Sequence, residues 1–314
     1  MKCVKCGEPA VINMRQHRLG LCAEHFLEWV PTQVERAIEK YDMFVPGERV
    51  LVAVSGGKDS LSLWDILLRL GYTTEGIYIN LGIPHLSYSD VSQQKVEQFA
   101  AQHGAAFRVV NVKNEYGQTI PEAARRKRGR SPCSTCGLVK RHIMNQVARD
   151  GGYAVLATGH NMDDEAAVLF QNSLHWATGY LARQAPALPA SRPGLVRKVK
   201  PLIRLYEREM AAYALVRGID YVYEECPYST GATTLFYKTL LNQLEEASPG
   251  AKQTFYLSFL QARAEGRLLP QTANEVEMHP CLRCGQPTTV PDLCAFCRLW
   301  EREELNHGDT DNTE

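Results

Sequence analysis

The chain has 314 residues, 45% of them hydrophobic, which is enough for a sizeable buried core and for roughly two domains. It contains no run of about 18 apolar residues, and its Met1–Cys6 start lacks the apolar stretch of a signal peptide, so a membrane span is not expected and a cytosolic location is. The formal net charge is zero, but residues 301–314 hold six acids and one Arg, leaving a mildly basic body of 34 basic and 29 acidic residues that does not by itself establish nucleic-acid binding.

In chain order, residues 1–30 read as a first unit, in which Cys3-x2-Cys6 is followed by Cys22 and His25. Residues 31–41 read as a linking helix. The apolar run Arg49–Val54 ahead of a Gly pair reads as a buried strand, and residues 61–70 as a helix. Strands are expected at 76–81, 107–112 and 153–158, with helices at 90–103, 137–150 and 164–174. Such alternation predicts parallel βαβ units, hence an α/β doubly wound parallel sheet. Residues 182–204, with four prolines among Arg and Lys, read as a long exposed loop. Helices follow at 207–217 and, broken near Pro249, at 233–265; a last unit begins near Met278. The domain plan is a unit at 1–30, a main domain at 31–275, a second small unit at 276–300 and a disordered acidic tail at 301–314.

Ser55-Gly56-Gly57-Lys58-Asp59-Ser60 lies between a predicted strand and a predicted helix. The glycines let the backbone approach a phosphate, and the helix N-terminus offers free N–H groups and a positive dipole end. Lys58 adds charge, the serines add hydroxyls, and Asp59 is suited to a magnesium ion. The spacing is not that of a Walker A loop. Thr158-Gly159-His160-Asn161-Met162-Asp163-Asp164 occupies a second strand-to-helix junction, which a parallel sheet places on the same rim. Asp164 could share the metal with Asp59, or Asn161, Asp163 and Asp164 could simply cap the helix. His160 reads as a structural hydrogen-bonding residue.

Nine of the ten cysteines fall into clusters. Cys3, Cys6, Cys22 and His25 form one four-ligand set, and Cys281, Cys284, Cys294 and Cys297 another; both have structural zinc spacing. His17 and His279 are spare candidates. Cys133 and Cys136, with the distant Cys226, offer three thiolates; zinc, an iron–sulfur cluster or a redox disulfide all remain open on spacing alone. Ahead of them Arg125, Arg126, Lys127, Arg128 and Arg130 form a basic run. It reads either as a solvated face or, beside a nucleotide loop and a metal site, as a contact for tRNA phosphates. Lys140 lies one helical turn beyond Cys136 and can face the same cleft.

Taken together, SGGKDS, PCSTCGLVKR, TGHNMDDEA, the lone Cys226 and the two terminal four-ligand sets resemble the tRNA 2-thiouridine synthetases of the TtuA family, in the PP-loop ATP pyrophosphatase superfamily. The likeness runs from Cys3 to Cys297, and the wobble-uridine thiolation proteins are similar too. It implies a 4Fe-4S cluster on Cys133, Cys136 and Cys226, with the fourth iron free to bind sulfide. It implies ATP held by Ala53, Val54, Ser55, Gly56, Gly57, Lys58, Asp59, Ser60, Ile79, Lys140, Gly159 and Asp164, with Asp59, Lys140 and Asp164 catalytic and Mg²⁺ and two Zn²⁺ as further cofactors. The substrate implied is tRNA: a uridine, at position 54 of the T loop, whose 2-carbonyl oxygen is adenylated and replaced by sulfur. The sulfur would come from a ubiquitin-like carrier protein bearing a thiocarboxylate, and the reading leaves room for a homodimer. Wobble-uridine thiolation, or another PP-loop tRNA-modifying ligase such as a lysidine synthetase, is the alternative enzyme. A non-enzymatic zinc-ribbon RNA-binding protein explains the terminal sets but not the central motifs.

Overall fold

The computed structural model describes residues 1–126, 131–190, 193–229, 231, 233–268 and 277–301. A hairpin of β1 (Ile12–Met14) and β2 (Leu19–Leu21) opens the chain, followed by helix α1 (Ala23–Lys40). Then come β3 (Val50–Ala53), α2 (Lys58–Arg69), β4 (Thr74–Asn80), α3 (Tyr88–His103), β5 (Phe107–Asn111), α4 (Val112–Tyr116), α5 (Ile120–Arg126), α6 (Pro132–Asp150), β6 (Val155–Thr158), α7 (Met162–Leu174) and α8 (Thr178–Leu181). Two short strands, β7 (Ala187–Leu188) and β8 (Arg197–Val199), precede α9 (Glu207–Arg217), α10 (Thr233–Ala247) and α11 (Ala251–Ala264). The C-terminal unit is a hairpin of β9 (His279–Pro280) and β10 (Pro287–Thr288), closed by α12 (Ala295–Leu299).

The central sheet runs β5-β4-β3-β6-β8-β7, parallel except for β7 at one edge. The chain winds outward from β3 to β5, then returns to place β6 on the other side of β3. That reversal leaves a crevice at the C-terminal ends of β3 and β6, where open α/β sheets bind ligands. Ala53 and Thr158 are register partners, so the two loops that follow them start side by side.

Three local expectations are corrected. The stretch 182–204 is not a long exposed loop: β7 and β8 join the sheet and Val199, Leu202 and Ile203 are buried. The linking helix begins eight residues earlier than expected, at Ala23, and carries Pro31 inside it. Burial of Phe26, Val30, Val34 and Ile38 along one face offsets the hydrogen bond that Pro31 cannot make. Helix α6 begins at Pro132 rather than Gly137, with Ser131 as N-cap accepting from Ser134 N–H at 3.2 Å. Proline at the first helical position starts a helix, because its missing N–H would be unpaired there anyway.

Under the sheet, Trp64 is fully buried, stacks on Phe99 at 5.1 Å and donates Nε1–H to Thr74 Oγ1 at 3.1 Å. One residue on, Asp65 is wholly buried and ties α2 to α9. It accepts from Arg217 Nη2 at 2.8 Å, Arg217 Nε at 3.0 Å and Tyr213 Oη at 2.6 Å. Burial alone would push this carboxyl up, but the bonds from Arg217 and Tyr213 outweigh it and leave the pKa below the ordinary carboxylate value. A depressed folded-state pKa contributes stability above the unfolded value, lost as pH falls through the folded one. Asp65→Asn should therefore lose about 3 kcal/mol at neutral pH, the low end for a broken buried pair because Arg217 reaches solvent. The deficit relative to wild type should shrink only below about pH 4. Denaturant titration at pH 7 and pH 3 checks both; equal midpoints at pH 7 would contradict the assignment.

Candidate functional site

The crevice is built by two glycine-dependent turns. Gly56 has φ +79°, and a Cβ there would lie 2.6 Å from the Ser92 carbonyl oxygen. A Cβ on Gly159 would meet Ser60 Cα and N at 3.0 Å, so only glycine lets the β6 turn lie against the N-terminus of α2. Within the first loop, Ser60 Oγ accepts from Ser55 N–H at 3.0 Å and lies 3.1 Å from Ser55 Oγ. Ile79 lies on neighbouring β4, at the same end of the sheet.

Charged side chains from four helices converge at this mouth. Lys58 Nζ bonds Asp59 Oδ2 at 2.9 Å and Glu207 Oε1 at 2.9 Å. Lys238 Nζ bonds Asp164 Oδ1 at 2.6 Å and Glu207 Oε2 at 3.0 Å. Asn161 donates Nδ2–H to Asp59 Oδ1 at 3.2 Å, and its backbone N–H donates to Asp164 Oδ2 at 3.0 Å. Burial pushes the Asp59 carboxyl above its ordinary value; Lys58 pulls it back only in part, and Asp164 and Glu207 push it further up. Burial also acts on Glu207, but Lys238 and Lys58 outweigh it and bring that carboxyl down to about 2. Burial lowers the Lys238 pKa less than Asp164 and Glu207 raise it. Converging carboxylate oxygens, one of them electrostatically unfavourable as an anion, suit a hard divalent cation such as magnesium.

The expected pair of aspartates divides by role. Asp164 completes the capping box of α7 and still presents an oxygen to the crevice. Asp163 is buried, ion-paired with Lys252, and accepts from Glu207 N–H at 2.7 Å, a structural part. His160 is exposed, with Nδ1 2.8 Å from Thr158 Oγ1. Glu207 and Lys238 were not legible as site residues. Glu207 merely opens a helix, Lys238 sits mid-helix, and neither belongs to a local motif.

The three central cysteines lie near one another. Cys133 Sγ donates to the Tyr228 carbonyl at 2.9 Å, two residues past Cys226. Burial raises the Cys136 thiol; Lys140 lowers it, and Cys226 and Cys133 raise it, so all three sulfurs lie within electrostatic reach. Lys140 is exposed and lies beside Cys136. Val222 N–H donates to the Gly56 carbonyl at 2.9 Å, which ties the Cys226 segment to the glycine turn. A cavity of about 160 Å³ opens beside it, lined by Tyr88, Val222, Glu225 and Pro227.

The terminal sets are tighter. In each, Cys3, Cys6, Cys22 and His25 or Cys281, Cys284, Cys294 and Cys297, all four ligand atoms lie within 4.8 Å of one another. Cys6 and Cys22 sulfurs are 3.7 Å apart, and Cys284 and Cys294 sulfurs 3.8 Å. A Zn–S bond of about 2.3 Å gives a tetrahedral edge of about 3.8 Å, so both sets fit one zinc. The central three do not all lie within 4.8 Å of one another, as a single zinc would require. An iron–sulfur cubane, bound through three different irons, spreads its thiolates wider. His17 packs on Trp29 at 5.3 Å, outside both sets.

The C-terminal unit rests on the helix that carries Cys133 and Cys136. Phe296 stacks on His142 at 3.7 Å, and Gln286 Nε2 donates to the His142 carbonyl at 3.1 Å. Arg126 Nη2 donates to the Leu299 carbonyl at 2.5 Å, so this member of the basic run holds the unit in place. Arg125 is exposed; Lys127, Arg128 and Arg130 lie outside the described residues, as do 269–276 and the tail from 302 onward.

Residues 2–27 match the family model for the N-terminal LIM domain of the 2-thiouridine synthetase TtuA, and residues 30–232 match the PP-loop domain. The tRNA-5-methyluridine(54) 2-sulfurtransferase of Thermus thermophilus is 50% identical over 301 residues, covering 96% of this chain and 91% of the relative. The chain belongs to the TtuA family of tRNA 2-thiouridine synthetases. The Pyrococcus horikoshii tRNA-5-methyluridine(54) 2-sulfurtransferase is 44% identical, covering 98% of this chain and 96% of that one. Among solved structures, the U34-tRNA thiolase NcsA from Methanococcus maripaludis with its 4Fe-4S cluster superposes with a TM-score of 0.79 at 25% identity, covering 95% of each chain. The family's PP-loop fold is thus the fold found here, with a ligand set compatible with metal binding at either end.

Proposed function

We propose that this protein is an ATP-dependent tRNA sulfurtransferase that converts the uridine at position 54 to its 2-thio form. The observation that carries the reading is the tether between Val222 and Gly56, which joins the Cys226 segment to the phosphate loop. Activation and sulfur delivery then occur at adjoining sites. The N–H groups of the loop and of the α2 N-terminus, with Lys58, receive the phosphates. Asp59 and Asp164 hold magnesium. The uridine 2-oxygen attacks the α-phosphorus and pyrophosphate leaves; sulfide then adds at C2 and AMP departs with the original oxygen. Positive groups poised around the phosphates favour the charge that builds in the first step.

Cys133, Cys136 and Cys226 would hold a 4Fe-4S cluster, which when bound would present sulfide to the activated carbon. Lys140, against Cys136, adds positive charge where the two sites meet. The cavity beside Cys226 receives the uridine, which has to leave its stack to reach this depth. Two zinc ions close the terminal sets and fix the ends of the chain. The sulfur donor is a ubiquitin-like protein with a C-terminal thiocarboxylate, and the enzyme works in the cytoplasm, the location named for its cytoplasmic tRNA 2-thiolation relatives.

Position 54 is favoured over the wobble position by relatedness. The relatives named for position 54 are 41–50% identical, whereas the cytoplasmic tRNA 2-thiolation proteins are 28–32% identical. The test is mass spectrometry of nucleosides and T-loop fragments of tRNA from cells with and without the gene. Loss of 2-thiolation confined to position 54 is expected. Loss at position 34 alone would transfer the reading to the wobble uridine, and intact thiolation at both positions would end it.

A further inference from the structure

The four ion pairs at the loop mouth have a definite division of labour. Asp59 and Asp164 each have one carboxylate oxygen fixed by Asn161. The other oxygen of each carries an ammonium, Lys58 on Asp59 and Lys238 on Asp164. The two ammoniums meet on Glu207, one on each of its oxygens. The oxygens that a divalent cation would take are therefore covered by lysine ammoniums, and each ammonium is tethered to a third carboxylate.

Lys238 is delivered there by a rigid support. One turn further along α10, Asn242 accepts from Lys252, which also pairs with buried Asp163. The register of α10 against α7 is thus set by a buried contact next to Asp164. The Lys238 ammonium is itself largely shielded, with its side chain 16% exposed, so the pairing acts in a medium less screening than water.

We propose that Lys238 occupies the cation position at Asp164 in the nucleotide-free protein and passes to the phosphates of ATP when the divalent cation takes that oxygen, with Glu207 holding its ammonium within reach. The inference rests on the ATP reading of the crevice. Every charge keeps a partner through the exchange: Asp164 trades an ammonium for the metal, and the ammonium trades Asp164 for phosphate. Lys238 and the metal compete for one oxygen, while Lys238 and the nucleotide attract. With the contact to phosphate outweighing the contact to Asp164 that it replaces, removing the ammonium moves the two affinities in opposite directions, which a lysine that only braces α10 against α7 would not do.

The test uses anaerobically purified full-length protein and its Lys238→Met and Lys238→Arg variants, with thermal melting followed alongside. Mn²⁺ alone, and a non-hydrolysable ATP analogue with Mg²⁺, are titrated in turn. For Lys238→Met, Mn²⁺ alone should bind about tenfold more tightly and the magnesium–nucleotide at least about tenfold more weakly, each about 1.4 kcal/mol. Lys238→Arg should return both towards wild type. Unchanged affinities for both ligands would overturn the proposal, as would a parallel loss of both, which would mean that Lys238 only shapes the carboxylates. If the wild-type protein binds no nucleotide with Mg²⁺, the ATP reading fails, and the Mn²⁺ titration still decides whether Lys238 competes with metal.

Discussion

Asp59→Ala should abolish pyrophosphate release, by about 1000-fold or more, while the protein stays folded. Asp59 opens α2 at the point where the two loops touch, and its carboxylate faces Asp164 and Glu207 across the crevice. Removing one preorganised stabilising group costs about 10²–10³ in rate, and here the group lost is the cation that Asp59 holds at the phosphates. Stability should not follow activity. The Asp59 pKa is raised in the folded state, chiefly by burial, so its ionised form is a burden on folding at neutral pH, relieved as pH falls towards the folded pKa. The variant should therefore melt at or slightly above the wild-type temperature, as functional carboxylates often allow. Asp59→Asn is the control, since it removes the charge but retains a polar group for Asn161. Turnover within tenfold of wild type in either variant would take Asp59 out of the mechanism.

Cys226→Ala should lose thiolation under strictly anaerobic conditions and keep ATP binding within about threefold, a change of less than 1 kcal/mol. The separation is possible because the local backbone does not depend on the thiol. The turn after Cys226 is held by Ser229, whose N–H and Oγ–H donate to the Cys226 carbonyl at 2.8 and 2.6 Å. The Val222 to Gly56 tether is likewise a backbone bond. Cys133→Ala and Cys136→Ala should behave alike, because each removes one of the three thiolates on which the cluster depends. Thiolation counted per tRNA with bound nucleotide measured in parallel separates the two functions. Wild-type thiolation by Cys226→Ala would remove the three-cysteine site from the reaction, whatever iron the protein carries.

The sequence by itself determined the features whose causes lie close together along the chain. The strand–turn–helix units at Ser55–Ser60 and Thr158–Asp164 were legible because a short apolar run, a glycine turn and a capping residue are local signals. The two terminal ligand sets were legible for the same reason, since each spans few residues and two-residue gaps place the sulfurs together. The αβ alternation was enough for the doubly wound sheet, but not for its edge. Strands of two and three residues among prolines and cations, Ala187–Leu188 and Arg197–Val199, carry no alternating pattern, and only pairing with β6 makes them strands. Two helices start earlier than expected, at Ala23 and Pro132, because whether a proline breaks or starts a helix depends on what is buried around it.

The resemblance pointed to Asp164, and the tertiary structure shows why it, rather than the adjacent Asp163, faces the crevice. Asp163 and Asp164 differ by one helical position, and the choice is made by Lys252 and Lys238, which arrive from α11 and α10. Only the tertiary structure decided the place of Glu207, which bonds Lys58 from 149 positions away in the chain, and that Arg126 serves the C-terminal unit through Leu299. Such contacts join residues with no periodic or spacing relation, so a single sequence holds no trace of them. Glycine turns and ligand sets are written in neighbouring residues because short-range sterics and coordination geometry enforce them; the ion pairs of the crevice exist only because packing of the sheet and helices brings distant charges within a few ångströms, where Coulomb attraction first becomes large.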